Sequence, residues 1–108
     1  MTENDLRWVE IPIPLPPDGK NETFVLDGRE LLLCNAGGTP YVVPDECPHA
    51  KISLQGGLIE GTILECPIHG GRLDLRNGEP VAKPIRRPTK CYPVRSVGGR
   101  LEIGLPAI

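Results

Sequence analysis

Two short stretches carry the residues most capable of chemistry: Cys47-Pro48-His49 and Cys66-Pro67-Ile68-His69. Together they hold both histidines of the chain and two of its four cysteines. Thiolate and neutral imidazole are the usual ligands of zinc and iron, so soft donors gathered into two clusters, each with its own Pro, point to metal binding. Each cluster offers one sulfur and one nitrogen. A mononuclear zinc site more often takes a closely spaced Cys pair plus a closely spaced His pair, so that each local pair chelates one ion.

The mixed pairing suits a binuclear [2Fe–2S] centre better, with the two thiolates on one iron and the two imidazoles on the other. Two disulfides are the competing use of four cysteines. The opening residues Met1-Thr2-Glu3-Asn4-Asp5 are acidic and polar, with neither the basic nor the apolar region of an export signal. A reducing cytoplasm is therefore expected, which disfavours disulfides and leaves metal or redox roles. Cys34, ending an apolar run, and Cys91, beside Tyr92, read as small core residues.

The chain that positions these clusters is 108 residues long, with 13 Gly and 13 Pro, enough to interrupt every candidate helical pattern. It reads as all-β. Trp8–Ile13 alternates as a first strand, ended by the proline-rich segment 14–19. Thr23–Leu26 and Glu30–Cys34 form a hairpin through Asp27-Gly28, a dipeptide suited to positive φ. A turn over 35–39 leads into Tyr41–Val43, which stops at Pro44 just before the first cluster. Leu58-Ile59, Thr62–Glu65 and Leu73–Leu75 are short strands around the second cluster, followed by an Asn77-Gly78 turn. A last hairpin, Val94–Val97 with Arg100–Ile103, turns at Gly98-Gly99. The expected architecture is one domain over 1–108: a small antiparallel barrel or sandwich from about 1–45 and 86–108, with a loop-rich unit of about 46–85 inserted to carry the clusters.

The formal net charge of −2 gives no global attraction for nucleic acid, and no apolar run is long enough to span a membrane. Asp45-Glu46 reads as exposed acid, as an electrostatic influence on the site or as a contact for a partner. Lys51, Arg72, Arg86, Arg87 and Lys90 read either as a solvated loop or as a basic docking rim. Trp8 reads as a core or sheet-edge aromatic.

Cys47-x-His49 and Cys66-x-x-His69 resemble the Rieske signature, and the text around them, through Gly70-Gly71, looks like that of the small Rieske-type ferredoxins. The likeness extends to Gly56-Gly57, Glu65-Cys66-Pro67, Asp74-x-x-x-Gly78 and Pro80, and covers about residues 41–103. It implies one [2Fe–2S] cluster, with Cys47 and Cys66 on the inner iron and His49 and His69 on the outer one. Pro84 would lie in a covering proline loop. The function implied is one-electron transfer within an aromatic-ring dioxygenase system, from a flavoprotein reductase using NAD(P)H to a terminal oxygenase. The chain would be a monomeric carrier and not itself an enzyme.

Respiratory members of this family have two further cysteines, bridged, where this chain has Lys51 and Ile68, and hydroxyl donors where it has Gly71 and Leu73. Fewer donors stabilise the reduced centre less, which implies a potential at the low end of the Rieske range, about −150 mV. Two other roles stay open: a small Rieske subunit of another oxidoreductase, such as nitrite reductase, and a structural zinc module. A self-sufficient oxygenase would need a second iron site of two His and a carboxylate, for which no histidine remains.

Overall fold

A computed structural model of the chain describes residues 6–106; the acidic segment Met1–Asp5 lies outside them. Every regular element among the described residues is a β-strand. They are β1 (Leu6–Glu10), β2 (Asn21–Leu26), β3 (Arg29–Ala36), β4 (Thr39–Pro44), β5 (Ile59–Glu60), β6 (Ile63–Glu65), β7 (Arg72–Asp74), β8 (Pro80–Ala82), β9 (Val94–Val97) and β10 (Arg100–Pro106). All pairings are antiparallel, in three sheets: β1-β10-β9, β2-β3-β4 and β5-β6-β7-β8. Among the described residues no helix is long and apolar enough to cross a membrane.

The turns follow their chemistry. Asp27 and Gly28 take φ of 53° and 72°, the paired positive values that let a two-residue turn follow strand twist. This sets Phe24 opposite Leu31 and Thr23 opposite Leu32. Gly98-Gly99 turns β9 into β10 in the same way, as expected.

Most strand boundaries shift by a residue or more from expectation, and three of the differences have a local cause. The first strand covers Leu6–Glu10 and not Trp8–Ile13. Ile11 still donates its N–H to the Leu101 carbonyl at 2.8 Å, but Pro12 has no N–H to continue the ladder. The turn expected over 35–39 shrinks to Gly37-Gly38, because Asn35 and Ala36 still pair with Pro40 and Thr39. Pro80–Ala82, where no strand was expected, forms β8; as the first residue of an edge strand, Pro80 leaves no central pairing unmade.

The third strand explains the core. Leu31 and Leu33 face one apolar cluster, with Phe24, Val42, Tyr92, Ile103 and Leu105, which joins the first two sheets into a sandwich. Leu32, Cys34 and Ala36, on the opposite face of the same strand, enter a second cluster with Val43, Leu54, Leu64, Leu73 and Ile85. Side chains alternate across a strand, so an unbroken apolar run is what burial on both faces requires. A bridge between Val42 and Tyr92 links the two sheets of the sandwich directly.

Leu33→Ala should lower stability by about 3 kcal/mol, the usual loss for a fully buried leucine. Val25→Ala, on the exposed side of the same hairpin, should change it by less than about 0.5 kcal/mol. The two urea-unfolding midpoints, measured at unchanged m-value, check this contrast.

Candidate metal centre

Both ligand stretches begin where a strand ends on the second core. Past Pro44, the Asp45 N–H donates to the Glu30 carbonyl at 3.0 Å, anchoring the first loop to β3. The Asp45 carboxylate accepts from the Ser53 hydroxyl at 2.8 Å and the Leu54 N–H at 2.9 Å, so it fastens the far side of the same loop. Read from sequence as a free acid, Asp45 is a structural staple. Within the loop, Cys47 N–H bonds to Ile52 O at 2.9 Å and Ala50 N–H to Cys47 O at 3.1 Å.

The second loop leaves β6 at Glu65. Cys66 N–H bonds to Gly71 O at 2.6 Å and Gly70 N–H returns to Cys66 O at 3.2 Å, with Gly70 at a φ of 73° that favours glycine. Gly71 is required for a different reason. A Cβ there would stand 2.6 Å from Ile85 Cγ1 and 3.2 Å from Pro84 Cδ, so the segment carrying Pro84 packs directly on the second loop. The same contact leaves no room for a hydroxyl donor at position 71. Leu73, the other position without a donor, is fully buried in the core that holds Cys66.

Asn21 went unnoticed in the sequence. From the start of β2 its amide donates to Gly57 O at 3.0 Å and accepts from Gly56 N–H at 2.8 Å, tying the segment between the loops to the sandwich. Gly57 in turn lies so close to β6 that a Cβ would fall 2.2 Å from Glu65 O. The only sequence signal for Asn21 was a polar side chain opening an apolar strand.

The loops bring the four predicted ligands together as two pairs, Cys47 beside Cys66 and His49 beside His69. Cys47 and Cys66 are buried in the second core, and all four cysteines are free thiols. His49 and His69 are exposed, their rings edge to face with centroids 4.8 Å apart and planes at 79°. Burial pushes the Cys47 thiol up, and the adjacent Cys66 thiol adds to the shift. The backbone N–H groups of His49 and Ala50, aimed at the Cys47 sulfur, work in the other direction by favouring the thiolate. The donors are thus a buried sulfur pair and an exposed nitrogen pair. Among the described residues no three His, Cys, Asp or Glu side chains gather about one point.

This set fits a [2Fe–2S] centre bound by two Cys and two His. Anionic sulfurs would sit where backbone N–H groups can stabilise them, and the neutral imidazoles would face solvent. Cys34 and Cys91 take no part. Burial, with smaller contributions from Asp45 and Cys91, pushes the Cys34 thiol up to about 12, while the Cys91 thiol donates to Leu75 O at 3.3 Å. Arg72, grouped with the possible basic rim in the sequence, pairs with Glu65 at 3.0 Å. Trp8 is a half-buried side chain on an edge strand, covered by the Arg95 guanidinium at 4.1 Å.

With the site described, comparison with known proteins identifies its class. Residues 12–93 match the family of the Rieske [2Fe-2S] domain, and the chain belongs to that family. It is 32% identical over 106 residues to the ferredoxin component of the naphthalene 1,2-dioxygenase system of Pseudomonas aeruginosa, covering 97% of this chain and 99% of that one. The solved ferredoxin of carbazole 1,9a-dioxygenase from Nocardioides aromaticivorans superposes with a TM-score of 0.81 at 30% identity, covering 89% of this chain and 95% of that one. A carbazole 1,9a-dioxygenase complex of reduced oxygenase and oxidised ferredoxin contains a chain matched with a TM-score of 0.81 at 25% identity, with coverage of 89% and 91%.

Asp74 holds the turn after β7. The Arg76 side chain lies 2.8 Å from its carboxylate, with the Arg76 N–H at 2.9 Å and the Thr62 hydroxyl also bound, and these donors lower its pKa to about 2. A depressed carboxylate contributes stability that is fully present above its unfolded value of about 4 and is lost as pH falls through the folded value. The urea midpoint of the wild type should therefore fall between about pH 4 and about pH 2. Asp74→Asn should start lower and stay flatter across that window.

Proposed function

We propose that this chain is the ferredoxin component of an aromatic-ring dioxygenase system, taking single electrons from a flavoprotein reductase and delivering them to a terminal oxygenase. The observation that carries this reading is the paired donor set, Cys47 and Cys66 buried and His49 and His69 exposed, in a Rieske chain whose relatives are dioxygenase ferredoxins. It is an electron carrier and not a catalyst. When bound, a [2Fe–2S] centre supplies one-electron redox chemistry.

The four side chains would be its ligands, and the remaining residues govern how it is reached. The second core keeps water from the cysteine side, while the paired imidazoles form the shortest way out to a partner. A partner with its own redox centre would dock over His49 and His69, as suits the carbazole ferredoxin found in complex with its oxygenase. Such an encounter needs only a small, short-lived interface. Gly71 and Leu73 supply no side-chain hydrogen bond to the site, which favours a low potential.

Purification followed by electron paramagnetic resonance of the dithionite-reduced protein tests the assignment. The expected spectrum has an average g below that of an all-cysteine cluster, with a midpoint potential near about −150 mV. Cys47→Ser and Cys66→Ser should each abolish the visible absorption, and His49→Cys should shift the spectrum toward all-cysteine values. A colourless protein holding one zinc would overturn the reading.

A further inference from the structure

The charges around the two histidines are distributed differently from those elsewhere. Among the described residues, ion pairs engage Arg7, Arg72, Arg76, Arg95 and Arg100 with nearby carboxylates. Lys51, Arg86, Arg87 and Lys90 are in none of them, like Lys20, Arg29 and Lys83, but these four, all exposed, are gathered at one edge. They are also neighbours of one ligand. An open cleft of about 480 Å³ has Lys51, Arg87 and Lys90 in its wall with His49, and a second of about 440 Å³ runs between His49, Pro84, Arg86 and Arg87. The Lys90 ammonium rests 4.8 Å from the Tyr92 ring centre, which holds the charge in place without neutralising it.

Acidic groups at this edge do not balance these cations. Glu46 is the one carboxylate lining the first cleft, and the second has none. Asp45, the next acid along the chain, accepts from the neutral donors Ser53 and Leu54, and with Glu30 and Glu46 it lines a third cleft against Lys51. Four cations against Glu30, Asp45 and Glu46 still leave net positive charge, concentrated on Arg86, Arg87 and Lys90, on a chain whose formal net charge is −2. The same edge carries an apolar side chain: Ile68, next to His69 whose ring is 4.8 Å from that of His49, is 66% exposed. Exposed apolar surface beside charged side chains is the anatomy of a protein docking site, and unpaired rim charges mainly set partner choice and association rate.

Resting on the electron-transfer reading above, we propose that the histidine edge docks its protein partners through an acidic, carboxylate-bearing surface, steered by Lys51, Arg86, Arg87 and Lys90. Nothing comparable favours a nucleic acid, since the basic edge is small and the rest of the chain carries excess negative charge.

The sign of a salt effect tests this. In stopped flow, the reduced holoprotein gives one electron to hexacyanoferrate(III), which becomes hexacyanoferrate(II). If the local edge governs the encounter, the rate falls about tenfold as ionic strength rises from about 0.01 M to about 1 M, since added salt screens the attraction. If the net charge of −2 governs it, the rate rises, and the proposal fails. Arg87→Glu should weaken or reverse the fall. Lys20→Glu makes the same change in net charge beside Asn35, at the opposite end of the β3–β4 pair from Pro44, and should leave it nearly intact. Equal effects from the two variants would also overturn the proposal.

A second measurement holds even if no reducible centre is found, which would be a failure of the functional reading alone. Fluorescein-labelled polyglutamate should bind the purified wild type and Lys20→Glu at low salt and bind Arg87→Glu at least fivefold more weakly. Indifference to Arg87→Glu, or tighter binding of a DNA duplex than of polyglutamate, would reject an acidic protein surface as the partner.

Discussion

The structure depends on burying both faces of one strand. β3 presents Leu31 and Leu33 to the sandwich and Leu32, Cys34 and Ala36 to the unit that carries the ligand loops. Two cores therefore share one backbone, and the hydrogen-bond ladders to β2 and β4 hold them at a fixed separation. Because the second core also contains Cys47 and Cys66, the apolar packing that folds the chain also sets where the sulfurs lie.

That arrangement separates the duties of the four donors. Sulfur is the softer, anionic ligand, and it sits where water is excluded and backbone N–H groups can stabilise its charge. Imidazole is neutral and amphipathic, and it sits at the surface. An electron carrier needs this asymmetry: a protected side that retains the centre and an exposed side within reach of a partner. Small polar staples maintain it, with Asp45 closing the first loop, Asn21 holding Gly56-Gly57 and Gly71 admitting Ile85.

Charge follows the same division. Most arginines on the sandwich and on the outer sheet, though not Arg29, are paired with carboxylates across neighbouring strands or turns, as Arg95 is with Glu102 and Arg72 with Glu65. Such pairs contribute little to stability, but they neutralise the surface locally. The unpaired cations beside His49 stand out because several lie together along two clefts, so the edge has a field of its own within about a Debye length.

Sequence alone proposed the donors, because Cys and His at close spacing have few other uses, and it determined the strands, because Gly and Pro exclude helix and Asp27-Gly28 and Gly98-Gly99 specify tight turns. The apolar run Leu31–Cys34 already announced a strand, though not that it served two cores, since an unbroken run does not say what lies on either side. Tertiary structure decided the rest. Asp45, Asn21 and Asp74 look like ordinary surface polar residues until their partners, distant in the chain or folded back by a turn, come within hydrogen-bond reach. The same holds for the cations: nothing local distinguishes Arg72 from Arg87, and only folding places a carboxylate beside the first and a histidine beside the second. Ligand identity is a property of side-chain chemistry, which sequence displays directly, whereas burial and pairing are properties of distance, which only the packed chain defines.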